Sequence, residues 1–116
     1  MEVRIRKGKR EIAAAKYCSS LPLKALGLMF SRPLKKNKGI LLVNSFESIE
    51  LSAIHMLFVF YPIDVVWMDK EKQVVGIKRN ARPFALRHAP KKDAKYILEL
   101  RKGGAKGIRE GDRLAF

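Results

Sequence analysis

Alternation of period two opens the chain. Val3 and Ile5 fall on one side of an extended segment and Arg4 and Arg6 on the other, the pattern of a strand with one wet face. Lys7-Gly8-Lys9 supplies a turn, and residues 11–17 return as the second arm of a hairpin. Ser20 is placed to cap a short helix that Leu21-Pro22-Leu23 opens and Gly27 closes. Residues 28–30 and 39–43 read as short buried strands, separated by breakers at Pro33 and Asn37-Lys38-Gly39.

Residues 53–68 form a longer apolar run in which the only ionisable side chains besides Tyr61 are His55 and Asp64. It is too short for a membrane span, which needs about 18 apolar residues, and His55, Pro62 and Asp64 interrupt it. Residues 54–60 and 63–68 are therefore expected to be two central strands joined at Tyr61-Pro62. Residues 73–77 and 96–100 read as further strands, and Gly103-Gly104, Gly107 and Gly111-Asp112 as a run of turns before a last short strand near Leu114. About eight short strands with one or two short helices predict a mainly β fold, a compact antiparallel sandwich or partly closed barrel of jelly-roll type. A length of 116 residues suits a single domain spanning the whole chain.

Composition narrows the compartment. The single cysteine, Cys18, excludes an intrachain disulfide and a cysteine-based metal site, and its apolar neighbours suit a small core residue. With no signal-peptide pattern at the start, the expectation is a cytoplasmic protein that does not enter membranes.

Charge adds a candidate activity. Lys and Arg outnumber Asp and Glu by 25 to 11, a formal +14. Six basic residues and no acid lie between Ile12 and Phe46, and Lys72 to Lys92 is likewise free of carboxylates. A basic face would attract phosphate polyanions by counterion release. Lys35, Lys36, Lys78, Arg79, Arg82 and Arg87 are its candidate contacts, with nucleic acid as a possible partner. Zinc-finger spacing and an aromatic RNA-binding strand motif are missing, so readout of base sequence is not expected.

Several pieces in order carry a family resemblance: Gly27-Leu28-Met29-Phe30 followed by Arg32, Gly39-Ile40-Leu41-Leu42-Val43, His55-Met56 with Pro62-Ile63-Asp64-Val65-Val66, Tyr96-Ile97-Leu98-Glu99-Leu100, and Gly107-Ile108 before Gly111-Asp112-Arg113. Over residues 3–115 the chain resembles the prokaryotic family known as domain of unknown function 192. The resemblance implies a small, mostly β domain and no established activity. This chain departs from the family pattern where Ser31 precedes Arg32. It departs again at residues 55–59, His-Met-Leu-Phe-Val, where many members have Trp-Met-Lys-Asn-Thr.

Asp64 and His55 are the residues most suggestive of chemistry, because a carboxylate inside an apolar run needs donors or a partner. In a hairpin closed by Tyr61-Pro62 they share a face but stand roughly 13 Å apart at about 3.3 Å per residue, too far for a dyad. Asp64 then reads as an acceptor of backbone N–H groups at a chain reversal, and Glu99 as a strand residue facing solvent or a lysine. No nucleophile elbow, phosphate-binding loop or metal-spaced ligand set is present. A metal, a cofactor and a catalytic residue are therefore not expected, although Asp64, Glu99 and Asp112 would form a hydrolase site if the fold joined them. The preferred function is a noncatalytic ligand-binding or interaction module whose rim around Arg32, His55 and Asp64 accepts a small or polymeric ligand. The alternative is nonspecific polyanion binding.

Overall fold

A computed structural model describes residues 1–19, 33–56 and 59–116. Six strands make up its core: β1 (Glu2–Lys7), β2 (Arg10–Cys18), β3 (Lys38–Ser48), β4 (Ile63–Met68), β5 (Val74–Ala81) and β6 (Ala94–Arg101). One helical turn, α1 (Ile49–Ser52), follows β3. The mainly β expectation holds. The strands form one sheet in the order β1-β2-β3-β6-β4-β5, antiparallel throughout except for the parallel β2–β3 pair.

The sheet is mixed and not closed into a barrel. Its edges are instead tied together by the C-terminal segment, where Ala115 bridges Arg6 of β1 and Arg113 bridges Gln73 just before β5. Both faces are covered. On the C-terminal face, Ile5, Leu41, Val66, Met68, Leu98 and Leu100 pack against Ala105, Ile108 and Leu114. On the loop face, Leu42, Val65, Trp67 and Ile97 pack under Ile54, Met56 and Val59. Double coverage explains why all six residues of β4, Ile-Asp-Val-Val-Trp-Met, are buried, as in strands covered on both faces generally.

The expected central hairpin is corrected here. Only 63–68 is a strand, and it pairs with β5 and β6. Ile54 makes an isolated bridge to His88, and Met56 donates to the Ala85 carbonyl, so this part of the run is a covering segment. The helix expected over residues 20–27 and the strand over 28–30 lie outside the described residues.

Ser52 joins the elements around α1. Its hydroxyl accepts from Asn44 Nδ2 (2.9 Å) and donates to the Ala94 carbonyl (2.8 Å), while its own carbonyl accepts from Trp67 Nε1 (2.7 Å). Ser48 caps the turn by accepting from the Leu51 N–H at 3.0 Å, satisfying a donor that the helix start leaves open. At the other end of the sheet, β2 and β3 begin and β6 finishes, and Gly39 lets β3 approach β6 closely. A Cβ there would lie 2.8 Å from the Glu99 carbonyl oxygen.

Candidate functional site

The expected rim of Arg32, His55 and Asp64 is not assembled by the described structure. Arg32 lies outside the described residues. His55 is exposed on the segment covering the loop face, whereas Asp64 stands opposite Leu100 and projects to the C-terminal face. The sheet separates them.

Asp64 is an acceptor of backbone donors. Its Oδ1 accepts from the Asn80 N–H at 3.0 Å, and Oδ2 accepts from Gly103 at 3.0 Å and Ala105 at 3.1 Å. Three N–H groups offset the burial of a charge that would otherwise be strongly unfavourable. Two of them belong to the turn of residues 102–107, Lys-Gly-Gly-Ala-Lys-Gly, which follows β6. Arg79 holds the same turn from β5 by donating to the Ala105 and Ile108 carbonyls, both at 2.7 Å. Gly103 and Gly107 have φ of 88° and 84°, a backbone region that L side chains disfavour.

This turn borders two cavities. A cleft of about 320 Å³ lies where the starts of β2 and β3 meet the end of β6, and Arg10, Lys36, Lys38, Arg101, Lys102 and Lys106 contribute to its walls. Its one acidic wall residue, Glu11, is engaged by Arg4 at 2.6 Å. Lys38 reaches Glu2 at 3.3 Å. The other five cations of the cleft have no carboxylate partner among the described residues. On the other side of the turn, a more open cavity of about 420 Å³ is lined by Asp64, Arg79, Asn80, Lys102, Gly103, Lys106 and Gly107.

The six basic residues singled out from charge runs divide between locations. Lys36 lines the cleft and Arg79 the second cavity. Lys35 adjoins the cleft through the turn in which its carbonyl accepts from the Lys38 N–H. Lys78 is on β5 opposite Val65, Arg87 pairs with Glu50 at 3.2 Å, and Arg82 is exposed after β5. Arg10, Arg101, Lys102 and Lys106 were not marked by those runs. Their sequence signal is the alternation of basic residues with glycine in Arg101-Lys102-Gly103-Gly104-Ala105-Lys106-Gly107.

Glu99 corrects another expectation, for it is buried and pairs with no lysine among the described residues. It projects among Ile40 and Val65 on the loop face, is 5% exposed, and its Oε1 has no hydrogen-bond partner among the described residues. Burial pushes its carboxyl up to about 7. His88, also facing the loop side, is held below its ordinary value by burial and then by Lys78. Asp112 sits in the C-terminal turns, where the Lys7 ammonium and the Arg109 N–H lower its pKa. Asp64 and Glu99 occupy opposite faces, so the hydrolase grouping is not formed. Among the described residues, no three His, Cys, Asp or Glu side chains converge on a metal position, and no helix is long and apolar enough to cross a membrane.

Comparison with known proteins bears out the resemblance read from the sequence. The DUF192 family model, described as an uncharacterized ACR, matches residues 3–116. A UPF0127 protein of Thermococcus kodakarensis is 33% identical over 93 residues, covering 80% of this chain and 57% of that protein. A second from Thermococcus sibiricus is again 33% identical, so the chain spans just under three-fifths of these relatives. The UPF0127 protein of Pyrococcus furiosus is 30% identical over 112 residues, 95% of this chain and 92% of that one. Among solved structures, a putative transcription regulator of Sinorhizobium meliloti 1021 superposes with a TM-score of 0.89 at 22% identity, over 99% of this chain and 93% of that one. A protein of unknown function from Novosphingobium aromaticivorans gives 0.83 at 20% identity, over 100% and 84%. At these identities the structural likeness concerns the fold alone.

Proposed function

The chain belongs to the DUF192 family of uncharacterized proteins, and on that premise we propose that this member is a noncatalytic binding module for phosphate-bearing polyanions. The observation that carries the reading is the cleft where Arg10, Lys36, Arg101, Lys102 and Lys106 converge without carboxylate partners. Like charges held together by three strand ends repel one another, and an anion bound among them relieves that repulsion while releasing its own counterions. The two buried carboxylates support the noncatalytic part, since the sheet keeps them from cooperating.

The contacts on offer suit phosphate rather than base edges. Lysine and arginine at a cleft fix a polyanion without reading its sequence, and the one helix among the described residues, α1, is four residues long. The words "putative transcription regulator" belong to the Sinorhizobium protein. For this chain the reading is sequence-independent binding. It also puts the protein in the cytoplasm, where nucleic acid is available, in keeping with a lone free Cys18.

Fluorescence anisotropy of a labelled single-stranded oligonucleotide at several salt concentrations tests the reading. If all five cations contact phosphate, log K should fall against log salt with a slope of about −3.5, at about 0.7 per phosphate of a single strand. Absent binding, or binding indifferent to salt, overturns it.

A further inference from the structure

We propose that the 102–107 turn is a two-sided clamp for a nucleic-acid backbone, with one phosphate seated in the cleft and a neighbouring phosphate of the same strand seated in the cavity across the turn. This rests on the polyanion reading above and adds the geometry of the ligand.

Lys102, Gly103 and Lys106 line both cavities, so the turn is the wall between them and carries a lysine at each end. Arg10, Lys36 and Arg101 line the cleft alone, and Arg79, whose two terminal nitrogens donate to the Ala105 and Ile108 carbonyls, adds its positive charge on the other side. A single small anion occupies one side. A ligand that repeats its phosphates along a chain occupies both, and the two lysines then serve each in turn.

The wall is fixed and low. Beyond the Asp64 and Arg79 contacts, Gly104 N–H donates to the Arg101 carbonyl at 2.7 Å, and Lys7 Nζ donates to the Gly107 carbonyl at 2.8 Å. Gly103 carries no side chain and a Cβ there would have nothing within 4 Å, so a backbone can cross the crest at that residue without meeting one. The Asp64 carboxylate borders the second cavity, but both of its oxygens are taken by N–H donors, whose dipoles offset its charge toward an anion. The clamp is thus organised by the residue that looked most like chemistry in the sequence, acting from behind as a positioning residue.

The experiment follows backbone amide shifts of the ¹⁵N-labelled protein during titration with a 15-nucleotide single strand and, separately, with pyrophosphate. The expected result is shifts at Lys36 and Asn37 with both ligands, and at Asn80 with the oligonucleotide only. Anisotropy with Lys36→Glu and Asn80→Asp gives an independent measure: both variants should weaken oligonucleotide binding, Lys36→Glu lowering the salt slope by about 0.7 as one phosphate contact is lost, while pyrophosphate binding responds to Lys36→Glu alone. Oligonucleotide shifts confined to the cleft, with binding indifferent to Asn80→Asp, overturn the clamp and leave the cleft standing. No shift at either side, or no binding, overturns both readings.

Discussion

Asp64 and Glu99 leave paired strands at adjacent register positions and point to opposite faces of the sheet, Asp64 beside Leu100 and Glu99 beside Val65. Both are carboxyls at most 5% exposed, yet their surroundings differ. Asp64 meets three backbone N–H donors, which occupy both of its oxygens. Glu99 meets aliphatic side chains, and one of its oxygens has no partner among the described residues, which favours the neutral acid. The strand pair that buries both carboxyls also keeps them from forming a shared site.

Asp64→Asn should lower stability by about 2 kcal/mol, because an amide replaces one acceptor oxygen with a donor that faces an N–H. Urea unfolding measures the loss. The same variant should weaken oligonucleotide binding, although removing a negative charge beside a basic site would by itself strengthen it. Stronger binding would mean that Asp64 does not organise the turn.

Glu99 should make stability fall as pH rises. Its folded pKa of about 7 lies above the ordinary 4.5, so the unfolded chain releases the proton first. The contribution is fully present below about pH 4.5 and is lost progressively until about pH 7, by roughly 3 kcal/mol at about 1.4 kcal/mol per unit. Glu99→Leu removes the titration and suits the aliphatic site. Unfolding at pH 5 and pH 8 should show the variant gaining on the natural chain at the higher pH. An unchanged difference between the two proteins would sink the idea.

Ser52→Ala should cost about 1–3 kcal/mol, because it strips the partner from the buried Asn44 amide and from the Ala94 carbonyl together. Exposed Arg4 and Glu11 form a bond of similar length, but Arg4→Ala should change the urea midpoint far less, since water screens that pair. Comparable losses from the two variants would contradict the hub role of Ser52.

The strands were legible where one periodicity dominates. Val3 and Ile5 announced β1, and residues 39–43, 73–77 and 96–100 fall largely within β3, β5 and β6. Residues 53–68 misled because a strand covered on both faces and a segment covering it are alike in being apolar. Glu99 misled for the same reason: alternation along β6 implies a wet face, and β6 has none over residues 97–100. The acceptor role of Asp64 was readable from its apolar setting. Its donors were not, because they lie 16, 39 and 41 residues away. Charge runs found Lys36 and Arg79 but missed Arg10, Lys102 and Lys106, which meet only once strand order brings the ends of β2, β3 and β6 together.

Two glycines allow backbone strain to be separated from function. Gly103 and Gly111 both have positive φ, 88° and 92°, and an added Cβ at either would have nothing within 4 Å. Alanine at each position should therefore cost a similar amount, about 1–2 kcal/mol, through conformation alone. Their places differ: Gly103 forms the crest between the two basic cavities, whereas the Gly111 N–H donates to the Val74 carbonyl at the opposite end of the sheet. Gly103→Ala should weaken oligonucleotide binding and Gly111→Ala should leave it unchanged, with matched urea midpoints as the control. Equal loss of binding in both would assign the effect to general destabilisation, and no loss in either would remove the turn from the binding surface.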